Sequence, residues 1–285
     1  MCTLTAIVHP DRAARGIRIL FNRDEQRARA TSLPLQVTRA GTYHALYPVD
    51  PPSGGTWIGV NSAGLSGALL NMTGAARFVD ADCVMPIRSR GEILPHILST
   101  AGTLSEAAHE AQQFDATSLA PFRLWLCDGQ HHLTIASDGR KVKVFPPHAT
   151  PGRLDRPFML TSSGLGDALV TPHRTAAFKS TLRHTPDVVL AQWQFHASID
   201  PLAAHPRQLL LNHQSVLMSR NDARTVSRTI IDVFGEHAFM RCMPLSDSLA
   251  DSLELIPLAA EQPAAALDAS RLAARLDFSR LSRAR

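Results

Sequence analysis

The alternation of apolar and polar residues predicts a chain built largely from short β-strands. Runs of β-branched and apolar residues of strand length recur along the chain, bounded by glycine, proline, asparagine or aspartate. The runs cover residues 2–8, 17–22, 54–60, 65–71, 122–145 (a three-stranded meander), 158–162, 214–220, 225–233 and 237–242. Residues 31–52 are rich in proline and predict irregular structure.

Four segments predict helices. Two begin with a capping pair, Ser or Thr followed three residues later by Glu, and a third has Pro172 at its first position. The segments cover residues 88–99, 103–114, 171–182 and 186–195. Strands followed by two helices, then strands, two helices and strands, favour an α+β fold with layered sheets.

The composition changes after residue 244, where alanine, leucine, serine and arginine dominate. We therefore expect one domain over residues 1–244 and a C-terminal tail over 245–285. Within the tail, residues 268–281 have the spacing of a short basic amphipathic helix, and a weakly ordered tail is an equal alternative.

Composition narrows the class of protein. The 285 residues carry a net charge of +4, with 45% hydrophobic and 19% charged residues, as in a globular protein. The arginines are dispersed and no stripe of aromatic and basic residues is present, so we expect no nucleic-acid partner. No apolar run reaches membrane-spanning length and no signal-peptide pattern is evident, which predicts a cytoplasmic protein without an integral membrane segment.

Cysteine and histidine spacing argues against a metal centre or a disulfide framework. The four cysteines are widely separated, without a CxxC pair, and the thirteen histidines show no ligand spacing. We therefore expect no metal and no cofactor.

Cys2 is the most informative residue for chemistry. If Met1 is removed, Cys2 carries a thiol and a free α-amine on one residue. The α-amine, with a pKa of about 7.7–8, can accept the proton of a thiol whose pKa is about 8.5. This pair is the catalytic unit of N-terminal nucleophile enzymes, whereas a buried strand cysteine is the alternative.

Several motifs in order resemble the NRDE family, also called the transport-and-Golgi-organisation family. They are Met1-Cys2-Thr3, Asn22-Arg23-Asp24-Glu25, Gly54-Gly55-Thr56-Trp57-Ile58-Gly59-Val60 and the hairpin that ends in Leu69-Leu70-Asn71. The same region is similar, more distantly, to the choloylglycine hydrolase branch of the N-terminal nucleophile (Ntn) hydrolases. The resemblance implies a four-layer αββα fold with the nucleophile at the start of a central strand.

The resemblance also implies a set of site residues. Cys2 would be the nucleophile, and Asp24 could hold its α-ammonium group, although the pattern leaves open whether Asp24 or Glu25 faces the site. Arg23 could lower the pKa of the thiol, since positive charge favours thiolate. Arg23 directly precedes Asp24, whereas the hydrolases place arginine three positions before the aspartate.

Three further positions come from the hydrolase branch. Asn71 matches an asparagine that donates to the oxyanion. Ser163 stands where the hydrolases have an asparagine, and Arg228 falls near a second active-site arginine.

Three hypotheses for function follow. The first is a cysteine Ntn amidohydrolase or acyltransferase that acts on a small acylated substrate through a thioester at Cys2. The second, implied by the family, is a non-catalytic protein that binds and carries haem, acyl-CoA or a lipid-like ligand. The third is a regulatory protein whose basic tail docks on an anionic partner.

Overall fold

Two antiparallel β-sheets packed face to face form the centre of the protein. A computed structural model describes residues 2–9, 16–73, 88–145, 151–199, 214–234, 237–245 and, for the backbone, 273–277. The strands are β1 (Cys2–Val8), β2 (Ile17–Gln26), β3 (Leu33–Thr38), β4 (Ala45–Val49), β5 (Ile58–Asn61), β6 (Ser66–Asn71), β7 (Phe122–Cys127), β8 (His131–Ser137), β9 (Val142–Phe145), β10 (Gly152–Arg153), β11 (Phe158–Ser162), β12 (Ala223–Phe234), β13 (His237–Pro244) and β14 (Ala273–Asp277).

The first sheet has the strand order β11-β1-β2-β12-β13-β14, and the second has the order β10-β8-β7-β6-β5-β4-β3, with β9 beside β8. Because side chains alternate along a strand, each sheet has an inner and an outer face. Cys2, Leu4 and Ala6 of β1 belong to the core between the sheets, together with Trp57 and Leu70 from the second sheet.

Helices cover both outer faces. The helices α1 (Ile93–Thr100) and α2 (Leu104–Gln112) pack on the second sheet, and α3 (Asp167–His184) and α4 (Val188–His196) pack on the first. The layers are therefore helix, sheet, sheet, helix, which confirms the predicted α+β fold of the αββα type. None of the helices in the described ranges combines the length and apolarity that a bilayer crossing demands.

The glycine-rich block that precedes β5 allows the chain to touch the start of α1. A Cβ atom on Gly55 would lie 2.4 Å from the carbonyl carbon of Gly91. Thr56 N–H donates to the Gly91 carbonyl at 3.0 Å, which explains the close approach. Glycine at position 55 is thus required by backbone packing.

The structure differs from the predicted elements over residues 31–52, at the start of α3, in the tail, and over 214–220, where no strand forms and only an isolated bridge joins Ser219 to Arg224. Residues 31–52 contain β3 and β4, because β3 lies at the edge of its sheet, where Pro34 costs no ladder hydrogen bond. The helix α3 begins at Asp167, ahead of Pro172, since buried Val170 packs in its first turn.

The third difference lies in the tail. Residues 273–277 form a strand that pairs with β13, whereas the amphipathic spacing predicted a helix over 268–281. An unpaired edge of β13 provides backbone partners that local helical periodicity does not report. The rest of the predicted helix lies outside the described residues.

Candidate active site

Cys2 lies at the start of β1, between β2 and β11. It pairs with Arg23 on β2 and with Ser162 on β11, and it is 7% exposed. Since residues directly opposite in an antiparallel pair share a face, Cys2 and Arg23 both point toward the second sheet. Cys2 thus opens a strand with a neighbour on each side, and its role as a nucleophile stays a prediction.

The backbone of Cys2 is held from β11. The nitrogen of Cys2 donates to Ser162 Oγ at 3.1 Å, and the hydroxyl of Thr161 donates to the Cys2 carbonyl at 3.2 Å. If Met1 is removed, the first of these contacts becomes a contact of the α-amine. The buried Ser162 hydroxyl is thus placed to orient the amine.

Asp24 is the buried member of the acidic pair that the sequence left open. Asp24 is 1% exposed and accepts a hydrogen bond from the Thr225 hydroxyl at 2.6 Å. The Glu25 side chain is 28% exposed and pairs with Arg23 at 3.4 Å. Asp24 is therefore the buried carboxylate next to Arg23, and alternation along β2 turns its side chain to the helix side of the sheet, opposite to the Cys2 thiol.

Burial sets the protonation of this pair. Desolvation raises the pKa of the Asp24 carboxyl, against the attraction of Arg174 and of the chain's N-terminal amine. Desolvation also raises the pKa of the Cys2 thiol, opposed first by the N-terminal amine and also by a hydrogen bond from the Asp24 backbone. A buried thiol of this kind needs an adjacent base to become a nucleophile.

Arg23 is fixed beside Cys2 by an ion pair and an aromatic ring. Its guanidinium donates to Asp50 Oδ1 at 2.8 Å and lies 4.1 Å from the centre of the Trp57 ring. Asp50 also accepts from Arg29 at 2.5 Å and from Ser53 at 2.7 Å. Burial would raise the pKa of Asp50, but its hydrogen bonds to Arg29 and Ser53 hold the pKa below its usual value.

Ser162 contacts the nitrogen of Cys2, whereas the family resemblance named the next residue, Ser163, as a site residue. The hydroxyl of Ser163 accepts from the Leu165 backbone at 3.2 Å, and its own backbone N–H donates to Asp167. Because side chains alternate along β11, a shift of one residue turns the serine to the other face. The structure thus places Ser162, and not Ser163, against the nitrogen of Cys2.

Arg228 lies on the opposite face of the first sheet from the Cys2 thiol. It pairs with Asn22, donates to the carbonyl of His196 at 2.9 Å, and stacks 4.4 Å from the centre of the Trp193 ring. Desolvation there lowers the pKa of Arg228 to about 10. The structure does not bring this guanidinium to the side of the sheet where the thiol lies.

Asn71 ends β6 at the same end of the sandwich as Cys2. On the next strand, Arg123 opposes Leu70 and donates to the Thr161 carbonyl at 2.9 Å, which joins the end of this sheet to β11. Asn71 itself is half-buried, and alternation places its Cβ on the face of Leu69, turned away from the inter-sheet core. Its role as an oxyanion donor stays a prediction.

Asp167, which the sequence did not single out, braces the same region. Its carboxylate pairs with Arg123 and accepts from the backbone N–H groups of Thr73 and Ser163. These contacts link the segments after β6 and β11, which sequence spacing could not place together. Within the described ranges, no group of three or more His, Cys, Asp or Glu residues is arranged to hold a metal.

A family model described as Transport and Golgi organisation 2 matches residues 1–193. The chain belongs to this family. The comparison with curated proteins gives no match.

Among solved structures, this family member is similar to penicillin V acylase from Agrobacterium tumefaciens, with a TM-score of 0.52 and 15% identity over 84% of this chain and 82% of that one. The Caenorhabditis elegans ortholog of N-acylethanolamine-hydrolyzing acid amidase gives a TM-score of 0.46 and 11% identity, over 81% and 92%. Conjugated bile acid hydrolase from Clostridium perfringens gives 0.43 and 12%, over 84% and 88%. At this identity the likeness to the acylase shows the fold, which is that of the Ntn hydrolases.

Proposed function

We propose that this protein is a cysteine Ntn amidohydrolase or acyltransferase that acts on a small acylated substrate. The observation that carries the proposal is the environment of Cys2: its nitrogen is 3.1 Å from the Ser162 hydroxyl, and its thiol lies buried at the start of a strand with a neighbour on each side. Arg23 lies opposite on β2. The fold, shared with acylases and amidases, is compatible with this chemistry.

In the first half of the proposed reaction, Sγ of Cys2 attacks the acyl carbonyl carbon while the thiol proton passes to the α-amine. The carbonyl oxygen becomes an oxyanion, and the new ammonium group is stabilised by Asp24 and Ser162. Collapse breaks the bond to the leaving nitrogen or oxygen, which takes the proton from the ammonium group. The product on the enzyme is a thioester.

In the second half, water attacks the thioester carbonyl and gives a proton to the α-amine. Collapse releases a carboxylic acid and a thiolate, which recovers that proton. An amine or alcohol acceptor in place of water would make the same site an acyltransferase. Asn71 is the proposed oxyanion donor: its Cβ lies on the outer face of β6, so its amide must reach around the end of the strand, and a donor that points at the developing charge contributes about 3–4 kcal/mol.

Intact mass spectrometry of the purified protein tests the proposal. We expect loss of the Met1 mass and, after a reactive phenyl ester is added, an acyl adduct that turns over. Cys2→Ala should abolish the adduct, whereas Cys127→Ala, which changes a buried cysteine of the second sheet, should retain it. An adduct that survives Cys2→Ala, or Met1-free protein that never acylates, refutes the proposal.

Retention of Met1 would point to the binding alternative. Burial then leaves Cys2 as a thiol of raised pKa with no α-amine of its own. Two titrations, each of wild type and of Cys2→Ala, would separate those ligands. Binding of haem is read from a shift of its Soret band, and acyl-CoA is titrated in the same way as a second ligand. The cytoplasmic location is proposed with this function and is tested by cell fractionation.

A further inference from the structure

Directly beneath the start of β1, on the side that faces the helices, lies the guanidinium of Arg174 from α3. Arg174 is 1% exposed. Its Nη1 atom donates to Thr3 Oγ1 at 2.7 Å and to Thr161 Oγ1 at 2.8 Å, and its Nη2 atom donates to the Ser215 carbonyl at 2.7 Å. One side chain thus ties β1 and β11 to the segment that precedes β12.

These bonds lead to the backbone of the nucleophile. The Thr161 hydroxyl has one hydrogen, which it donates to the Cys2 carbonyl, so it accepts from Arg174 and from the Thr3 hydroxyl at 3.0 Å. The numbers of donated and accepted hydrogen bonds therefore match at the Thr3 and Thr161 hydroxyl groups. The guanidinium is therefore separated from the Cys2 carbonyl by a single hydroxyl group.

The same guanidinium lies close enough to Asp24 for its charge to matter. Among the charges that act on the Asp24 carboxyl, that of Arg174 opposes the burial penalty most strongly. Asp24 and Cys2 both act in return on Arg174, whose own pKa is lowered by desolvation. A buried carboxylate without a compensating cation would be strongly unfavourable.

We propose that Arg174 is a positioning residue of the Cys2 site: it clamps the ends of β1 and β11 and supplies the positive charge that buried Asp24 requires. This inference rests on the proposed function for its catalytic meaning. The clamp and the charge compensation are properties of the fold that can be measured without turnover.

Other charged groups face the same cluster and limit the size of the effect that removal of Arg174 can have. Arg220 also attracts the Asp24 carboxyl, more weakly than Arg174. His196 on α4 is buried, and desolvation together with Arg228 and Arg174 holds its pKa well below the usual value, so it stays neutral. Arg174 is thus the principal fixed cation that a substitution can remove.

The first experiment measures the charge. In Met1-free protein, the rate at which an aromatic nitrile condenses with the aminothiol of Cys2 is recorded against pH. The acid limb is the part of the pH–rate profile where the rate falls as the pH is lowered. Arg174→Met removes a cation from the cluster, so every neighbouring group binds its proton more readily. The acid limb should therefore move up by about one pH unit, which makes the rate at a fixed acidic pH about tenfold lower. Arg174→Lys, which keeps the charge, should leave the limb near its wild-type position.

Two controls separate charge from geometry. Thr161→Val removes the hydroxyl link and keeps Arg174, so it should slow the condensation at every pH without moving the limb. Thr5 is a buried threonine on the same face of β1, and its hydroxyl bonds to His196 and not to Arg174. Thr5→Val should therefore change neither the rate nor the pH of the acid limb. A limb that stays in place in Arg174→Met, or that moves equally in Thr5→Val, overturns the proposal.

A second experiment does not depend on the nucleophile. If Arg174→Met is too unstable to be labelled, or if wild type is never labelled, the folded fraction and the thermal midpoint of Arg174→Met, Asp24→Asn and the double variant are compared. We expect the double variant to be more stable than Arg174→Met, because its buried carboxylate is gone. Equal or lower stability of the double variant refutes charge compensation, whereas absence of labelling alone counts against the proposed function.

Discussion

Replacement of Ser162 by alanine should slow acylation of Cys2 by about 2- to 30-fold. The Ser162 hydroxyl is buried and lies 3.1 Å from the nitrogen of Cys2. During attack this nitrogen changes from a neutral amine to an ammonium group. The hydroxyl accepts from both forms, but a hydrogen bond to a charged group contributes about 1.5–3 kcal/mol and one between neutral groups about 1 kcal/mol.

The difference between these contributions sets the size of the effect. Only interactions that strengthen on the way to the transition state change the rate, so the relevant quantity is the difference, about 0.5–2 kcal/mol. Each 1.36 kcal/mol changes a rate constant tenfold, which gives the range above. Ground-state folding should change less, because the two neighbouring strands keep their backbone pairing.

The assay is the single-turnover rate of acyl-adduct formation on Met1-free protein, measured by intact mass. Ser163→Ala is the matched control, since that hydroxyl accepts from the Leu165 backbone and not from Cys2. Wild-type rates in Ser162→Ala, or a larger loss in Ser163→Ala, would refute the assignment and restore the serine that the sequence comparison favoured.

Three further predictions concern stability. Gly55→Ala places Cβ within 2.4 Å of the Gly91 backbone and should lower the free energy of unfolding in urea by about 2 kcal/mol; unchanged stability would contradict the close contact. Asp50→Asn leaves Arg23 only its longer, 3.4 Å pair with Glu25 and should cost about 3 kcal/mol in the same assay, with a wild-type midpoint as the contrary result. Neutral, buried His196 has a depressed pKa, so the unfolded chain binds more protons below about pH 6.5 and stability should fall there by up to 1.4 kcal/mol per pH unit, a slope that His196→Gln should reduce.

Local patterns in the sequence predicted much of the fold. The aspartate–glycine pairs at 128–129 and 138–139 form the two turns of the meander, and both glycines have positive φ, at 94° and 84°. The capping box of Thr103 and Glu106 is present at the start of α2. Short-range rules succeed here because the residues that make each contact lie within a few positions of one another.

The strands of residues 31–52 and the absence of a strand over 214–220 could not be predicted in this way. Proline predicted irregular structure over residues 31–52, but β3 pairs with β4 at the edge of the sheet. β propensity predicted a strand over 214–220, but only an isolated bridge from Ser219 to Arg224 forms there. In both segments tertiary pairing overrides the local preference.

The same limit applies to the site. The β1–β2 hairpin brings Cys2 opposite Arg23 through local sequence, so both were predictable candidates. Ser162 and Arg174 reach the site through pairing and packing across about 160 residues or more of chain. Sequence reasoning had no observation that could set this register to within one residue.

The position of β1, between a strand that is synthesised soon after it and one that is synthesised much later, also determines when Met1 can be removed. Cys2 is covered only when β11, residues 158–162, joins β1, and β2 is completed by β12, residues 223–234. At about 5–20 residues per second, synthesis delivers residue 162 some 8–30 s after Cys2. An aminopeptidase therefore has at least this interval on the ribosome to remove Met1 before the strands on either side of β1 are both in place.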